Sequence, residues 1–295
     1  MRLGKWSKLG LVLIVLGIGT AWGVLHFAVP GILLQPHRHR TPSSPSTLRL
    51  VEQAEKLEWR SDEGLRLRAH RYGVEVATGR FLVLHGISSC KEDQAELCGW
   101  LNGLGFEAVA FDLRAHGESE GEYCTFGFRE KEDVSAFLDQ HSSELPTFIW
   151  GSSLGGAVAL QSLGHDKRLR GGIVFSAFAT LEEIALDRQV QLTGLSWTWL
   201  RDYTLWRCGS LAEIDPLAVA PEIACRSIEQ PVLLVHGDRD MQITVGYARR
   251  NYAAISSPAR LLIEVEGAGH NDLWERGGTE LRASLQGFLD ENFRP

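Results

Sequence analysis

The stretch that most constrains the fold runs from Thr147 to Leu163. It opens with a short apolar run, Thr147-Phe148-Ile149-Trp150, set off by Pro146, which reads as a buried strand. Gly151, Ser153 and Gly155 then spell G-x-S-x-G, and Ala157-Val158-Ala159-Leu160-Gln161-Ser162-Leu163 is a run of good helix formers. Strand, glycine turn and helix together force the central serine onto a sharp, strained turn and lift its hydroxyl above a sheet edge. The glycines let neighbouring backbone approach where a Cβ would collide. A chain with 31 glycines can produce this pattern by accident, so its weight rests on partners further along.

A serine hydroxyl needs a base to become a nucleophile, and the base needs an orienting group. Pro231 to Val235 reads as a buried strand that ends in His236-Gly237-Asp238-Arg239-Asp240. Of its two carboxylates Asp240 is favoured, because Asp238 directly follows the turn glycine and suits capping that turn. Val265-Glu266-Gly267-Ala268-Gly269-His270-Asn271-Asp272 places His270 on a glycine-rich loop after the last strand. Serine, carboxylate and imidazole at 153, 240 and 270 follow the chain order of one hydrolase class. A tetrahedral intermediate would need backbone N–H donors. Leu154, directly after the serine, is one candidate, and Ile87, in the turn after the strand Arg80–Leu84, is the other. His85-Gly86 reads as a loop-shaping pair, and Cys90 as incidental.

The hairpin expected over 58–72 turns at Ser61-Asp62-Glu63-Gly64. Strands are expected at 106–111, 172–175 and 260–265, and helices at 92–104, 130–141, 245–255 and 279–292. This alternation predicts an α/β fold with a mostly parallel central sheet flanked by helices. Chemistry in such sheets gathers at the carboxyl ends of the strands, where every polar motif of this chain falls. Residues 179–230 are too long for an ordinary connection and read as a small helical cap inserted before the acid-bearing strand. Its run of Leu192, Leu195, Trp197, Trp199, Tyr203 and Trp206 reads first as packing of cap on sheet. The alternatives are a substrate wall or a surface leaning on a membrane.

Leu9 to Val29 is apolar enough to span a bilayer, with Arg2, Lys5 and Lys8 before it. It is longer than an ordinary signal-peptide core, which favours an uncleaved signal anchor. The basic residues before it outweigh Arg38 and Arg40 after it. The expectation is a single-pass membrane protein with its catalytic domain extracytoplasmic. Residues 1–34 would form tail and helix, 35–57 an exposed linker, and 58–295 the main domain. His37 and His39 in the linker read as solvated.

A net charge of −7 with no basic block argues against nucleic acid as a partner. Cys90, Cys98, Cys124, Cys208 and Cys225 show no metal-site spacing. Cys208 and Cys225 are the first pair to consider for a disulfide.

Residues 58–292 resemble the α/β-hydrolase superfamily, in its serine-aminopeptidase-like and monoglyceride-lipase-like branch. The likeness is carried by His85-Gly86, by Asp112-Leu113-Arg114-Ala115-His116-Gly117-Glu118-Ser119 and by Gly151-Ser152-Ser153-Leu154-Gly155-Gly156. His236-Gly237-Asp238-Arg239-Asp240 and Gly267-Ala268-Gly269-His270-Asn271-Asp272 complete it. Ala115 departs from the glycine common in relatives, with no expected effect on catalysis. The ordered triad and the apolar amino-terminal run together predict a membrane-anchored serine hydrolase of carboxylic ester or acyl bonds, working through an acyl-enzyme on a small-molecule substrate. Neither metal nor organic cofactor is implied. An aminopeptidase-like serine peptidase and a non-catalytic binding module are the alternatives. A dehalogenase-like reading is disfavoured, because those relatives carry Asp where this chain has Ser153.

Overall fold

Alternating apolar runs build an eight-stranded sheet in the computed structural model, which describes residues 5–39 and 45–294. Arg2 and Arg40, used above in the charge balance, lie outside the described residues. The strands are β1 (Glu55–Arg60), β2 (Arg66–Tyr72), β3 (Gly79–Leu84), β4 (Phe106–Asp112), β5 (Thr147–Ser152), β6 (Leu169–Phe175), β7 (Val232–Gly237) and β8 (Arg260–Val265). Their spatial order is β1-β2-β4-β3-β5-β6-β7-β8. β1 and β2 form the antiparallel hairpin, β2 runs antiparallel to β4, and every pairing from β4 to β8 is parallel. The expected α/β class with a mostly parallel sheet is the one observed.

The central strands are buried along their whole length, as strands covered on both faces must be. Side chains alternate between two cores. Leu82, Leu84, Ile149 and Leu234 join Val134 and Phe137 of α5 (Glu130–Gln140) and Val158 of α6 (Leu154–His165). Phe81, Val83, Trp150 and Leu233 join Leu101 of α4 (Ala95–Gly103) and Leu281 and Leu285 of α11 (Leu273–Asn292). The expected helix at 279–292 is the second part of α11, which breaks at Gly278 (φ 50°, ψ −133°).

After β6 the chain leaves the sheet for α7 (Leu181–Thr193), α8 (Thr198–Ala212) and the short α9 (Pro221–Cys225). Thr180 caps α7 by accepting from the Glu183 N–H, and Gly194 closes it in the left-handed region (φ 72°). Leu205 and Cys208 of α8 are buried, but Trp197, Trp199 and Trp206 are 47%, 59% and 60% exposed. Packing of cap on sheet therefore does not account for the tryptophans.

At the amino terminus α1 (Lys5–Gly23), a π turn over Val24–Ala28 and α2 (Val29–Leu34) form one helical run. Among the described residues it is the one helix long and apolar enough to cross a membrane, over Leu13–Leu34 with mean hydropathy 1.8. Pro30 explains the π turn: it has no N–H to give the His26 carbonyl, so the helix widens around it. The Arg207 guanidinium of α8 takes that carbonyl instead.

The segment after this run is exposed at Gln35, His37 and Arg38, as its composition suggests, yet it is docked on the domain. Leu34 packs with Cys208 and Ala212 of α8, its carbonyl accepts from the Cys124 N–H, and Pro36 is buried. Arg38 donates to the carbonyls of Ser119 and Gly121 at 2.6 Å each, and to that of Gly117 at 3.3 Å. The cysteine pairing is likewise corrected: all five thiols are free and buried. Cys208 faces Leu34 and Ala212 while Cys225 sits in the core beneath the sheet, so the two belong to different clusters.

Candidate active site

The turn after β5 holds Ser153 at φ 56° and ψ −116°, a conformation that costs an ordinary residue roughly 1–3 kcal/mol. Its surroundings leave the backbone no alternative. The Ser153 N–H donates to the Phe175 carbonyl at 2.8 Å. A Cβ on Gly151 would lie 2.1 Å from the Gly155 oxygen, and one on Gly155 would lie 2.3 Å from the Leu84 oxygen. Both positions therefore require glycine. The helix begins at Leu154, three residues earlier than its composition suggests, and aims its first turn at the serine.

Asp240 stands in the loop after β7. Its Oδ1 accepts from the Gln242 and Ile243 N–H groups at 2.8 and 2.9 Å. His236 reinforces the loop by donating from Nε2 to the Ile243 carbonyl, and the same nitrogen lies 3.4 Å from Asp240 Oδ2. Burial pushes the Asp240 carboxyl up, but the bonds from His236, His270 and the Ile243 N–H outweigh it. The group stays well below the usual carboxylate range. Its Oδ2 is thus left charged and aimed at His270.

His270 Nδ1 lies 2.6 Å from Asp240 Oδ2, and Nε2 lies 3.0 Å from Ser153 Oγ. An ionised carboxylate can only accept, so Nδ1 carries the proton and Nε2 is free to accept from the serine hydroxyl. The structure brings together the three side chains singled out from the sequence, which lie 117 and 30 residues apart. Asp238, the rival carboxylate, accepts from the Gly267 N–H and ties the two loops together.

Ile87 and Leu154 also fall at this rim. The Ser89 N–H closes a turn onto the Gly86 carbonyl, with Ser88 at φ 59°. Ile87 lies inside this turn, and the Leu154 N–H is in the first turn of α6. Neither has a hydrogen-bond partner among the described residues. His85 shapes this loop as expected: its Nε2 accepts from the Leu113 N–H at 3.1 Å, so its Nδ1 donates to the Gly86 carbonyl at 2.7 Å. Burial holds its imidazole down at about 4, consistent with a neutral ring.

A group that sequence reasoning passed over fixes the loop from behind. Lys91 is buried with its ammonium 2.8 Å from Asp112, 2.9 Å from Glu118 and 2.7 Å from Glu92. Burial pulls its pKa down, but Asp112, Glu92 and Glu118 together hold it above its ordinary value. Asp112 also accepts from the N–H groups of Lys91 and Glu118. The loop carrying Ile87 is thereby tied to the loop after β4. Asp112 lies in a motif noted from the sequence, but nothing local marks Lys91 as buried.

A cavity of about 780 Å³ opens beside Ser153 and His270, walled by Trp100, Trp150, Phe175 and Trp274. Trp150 and Trp274 stack at 6.0 Å, as do Phe175 and Trp274 at 5.6 Å. Arg188 of α7 and Asp93 and Glu96 add polar points to the wall. The site can therefore accept an apolar or aromatic group beside an activated hydroxyl.

Residues 76–205 match the family described as serine aminopeptidase, S33. The chain is 26% identical over 267 residues to the uncharacterized protein YqkD of Bacillus subtilis, covering 86% of this chain and 85% of that one. It is 24% identical to the lysophosphatidylserine lipase ABHD12 of Xenopus tropicalis, over 78% of this chain and 62% of that protein. Among solved structures it is similar to the Pyrococcus furiosus esterase Pf2001 (TM-score 0.71, 22% identity, 88% of this chain and 98% of that one). A membrane phospholipase A described as a bacterial virulence factor aligns with a TM-score of 0.59 and 21% identity, over 96% of this chain and 98% of that one. The sheet order is that of the α/β-hydrolase fold shared with these structures, and the likenesses support a serine hydrolase of the esterase or lipase kind.

Proposed function

We propose that the protein is a membrane-anchored hydrolase that cleaves carboxylic ester or acyl bonds through Ser153, His270 and Asp240. The observation that carries this reading is the continuous chain from Asp240 Oδ2 through His270 to Ser153 Oγ, with distances of 2.6 and 3.0 Å. His270 Nε2 takes the Ser153 proton as Oγ attacks the carbonyl carbon. The N–H groups of Ile87 and Leu154 receive the negative oxygen of the tetrahedral intermediate. His270 then gives its proton to the leaving alkoxide, and the acyl group stays on Oγ. Water, deprotonated by the same nitrogen, attacks the acyl-enzyme and releases the acid. Asp240 holds the imidazole in the required tautomer and stabilises its charge. The aromatic cavity suits an acyl chain or an aromatic acyl group.

Anchoring is supported by the apolar run Leu13–Leu34 and by the length of the likeness to a membrane phospholipase. With the amino terminus cytoplasmic, the catalytic domain would face the other side.

A peptidase reading draws on Asp93 and Glu96, which line the same cavity and could meet a substrate ammonium group. The two readings part in one assay of the full chain in detergent. It pairs p-nitrophenyl esters with aminoacyl anilides, with Ser153→Ala as control and fluorophosphonate labelling as readout. Ester turnover and labelling lost in Ser153→Ala support the proposal, anilide turnover alone supports the peptidase, and equal rates in both proteins reject both.

A further inference from the structure

The long helix and the insertion between β6 and β7 are packed together, and the depth at which they meet has a consequence. His26 Nδ1 lies 2.6 Å from the Tyr203 hydroxyl, and Arg207 Nε donates to the His26 carbonyl. Eight residues further along the long helix, Leu34 packs on Cys208 and Ala212. The contacts advance in step, so α2 and α8 run in the same direction.

The helical run from Lys5 to His26 would rise about 33 Å, close to the thickness of a hydrocarbon core. The nine residues from His26 to Leu34 are the ones held against α8. A helix seated in a bilayer by the stretch that precedes His26 therefore holds the start of α8 at the lipid–water boundary. Trp199 precedes Tyr203 by one turn, as Trp22 precedes His26 by one turn, so the two tryptophans stand near the same level. His26 is a polar residue inside an apolar run, and the insertion supplies its partner.

The surface of the insertion at that level exposes several tryptophans beside the Arg201–Asp202 ion pair. Trp199, Tyr203 and Trp206 occupy positions i, i+4 and i+7 of α8, one stripe of the helix. Trp197 stacks on Trp199 at 5.8 Å, and Leu192, at the end of α7, is 82% exposed. Tryptophan and tyrosine are the residues favoured at lipid–water boundaries, where an apolar ring and a polar N–H or O–H are both satisfied.

We propose that the α7–α8 end of the insertion is seated in the lipid–water interface beside the long helix, with Leu192, Trp197, Trp199 and Trp206 as its inserted residues. The occupant of this face is the bilayer. This rests on the anchoring reading above. Arg188 of α7 lines the cavity beside Ser153, so one helix carries both the wall of the active site and the surface that meets lipid. Substrates with long acyl chains would then reach the cavity from the membrane without crossing bulk water.

Spin labels on the full chain in phosphatidylcholine nanodiscs test this. Labels are placed at Trp199→Cys and Trp206→Cys, at Ile18→Cys within the apolar run, and at Val76→Cys, an 82% exposed reference. The five native thiols are buried and react slowly. All four positions are exposed, and circular dichroism checks that each variant folds.

The proposal expects the ratio of oxygen to nickel-chelate collisions at 199 and 206 to be several-fold above that at 76. Equal ratios at 199, 206 and 76, with 18 in lipid, overturn the inference and leave anchoring intact. Nickel-accessible labels at 18 overturn both. Spin–spin broadening at 199 and 206 without oxygen enrichment would assign the face to a second copy of the chain and also overturn the proposal.

Discussion

The Lys91 ammonium lies 2.8 Å from a carboxylate oxygen of Asp112, and both side chains are sealed from water. The pair joins the loop that carries Ile87 to the end of β4. Neither charge has solvent to fall back on, because Asp112 is fully buried and Lys91 is 1% exposed.

Removing one member strands the other. Lys91→Met is expected to lower the unfolding free energy by about 3–5 kcal/mol, the usual cost of leaving a buried charge uncompensated. Urea unfolding of the full chain in detergent measures it. A loss below about 1 kcal/mol would mean that Glu92, Asp112 and Glu118 do not depend on this ammonium.

Asp240→Asn keeps the shape of the loop but can offer His270 an amide N–H in place of an acceptor. The imidazole then favours the tautomer with its proton on Nε2, which cannot accept from Ser153. Turnover of p-nitrophenyl butyrate should fall by about 10,000-fold, the scale of the corresponding change in other serine triads. KM should change little, because no substrate contact is lost. A small effect on kcat would instead point to Asp238 as the working carboxylate.

His85 and His116 pack ring against ring at 4.9 Å, and burial lowers both to about 4 from an ordinary 6.5. Their folded-state values lie below the unfolded ones, so protons bind the unfolded chain better. The stability they contribute is complete above about pH 6.5 and is lost as the pH falls towards 4, by up to about 3 kcal/mol per ring. Asp133, pushed up to about 6 by burial, changes stability in the opposite direction. Comparing wild type with His116→Gln isolates the ring: the drop in stability between pH 7 and 4.5 should be smaller in the variant.

Ala115 occupies a position with φ 61°, where a Cβ is disfavoured. Ala115→Gly relieves that strain at the expense of a floppier unfolded chain, for a net gain of about 0.5–1 kcal/mol. Thermal unfolding should show the gain, and ester turnover should not change.

The parts of the molecule written in local sequence were legible without coordinates. Gly151 and Gly155 announce a turn too tight for side chains, and the apolar runs around them announce buried parallel strands. Ser153, Asp240 and His270 could be picked because each follows a strand, and strand ends meet at one edge. What escaped depends on contacts between distant segments. Lys91 resembles any surface lysine until Asp112, 21 residues away, arrives beside it. Residues 35–39 have the composition of a solvated linker, yet Arg38 finds carbonyls about 80 residues on. Trp199 and Trp206 looked like core residues because periodicity cannot tell which apolar stripe meets protein and which is left bare.

The docking of Leu34, Pro36 and Arg38 governs where this protein can be trimmed. A cut just before Pro45 is the obvious route to a detergent-free preparation. It would unroof Cys208 and Ala212 and release the carbonyls of Gly117, Ser119 and Gly121 beside the Lys91 pair. A shortened form that keeps these contacts has to start upstream of Leu34, and so carries the end of the greasy helix with it.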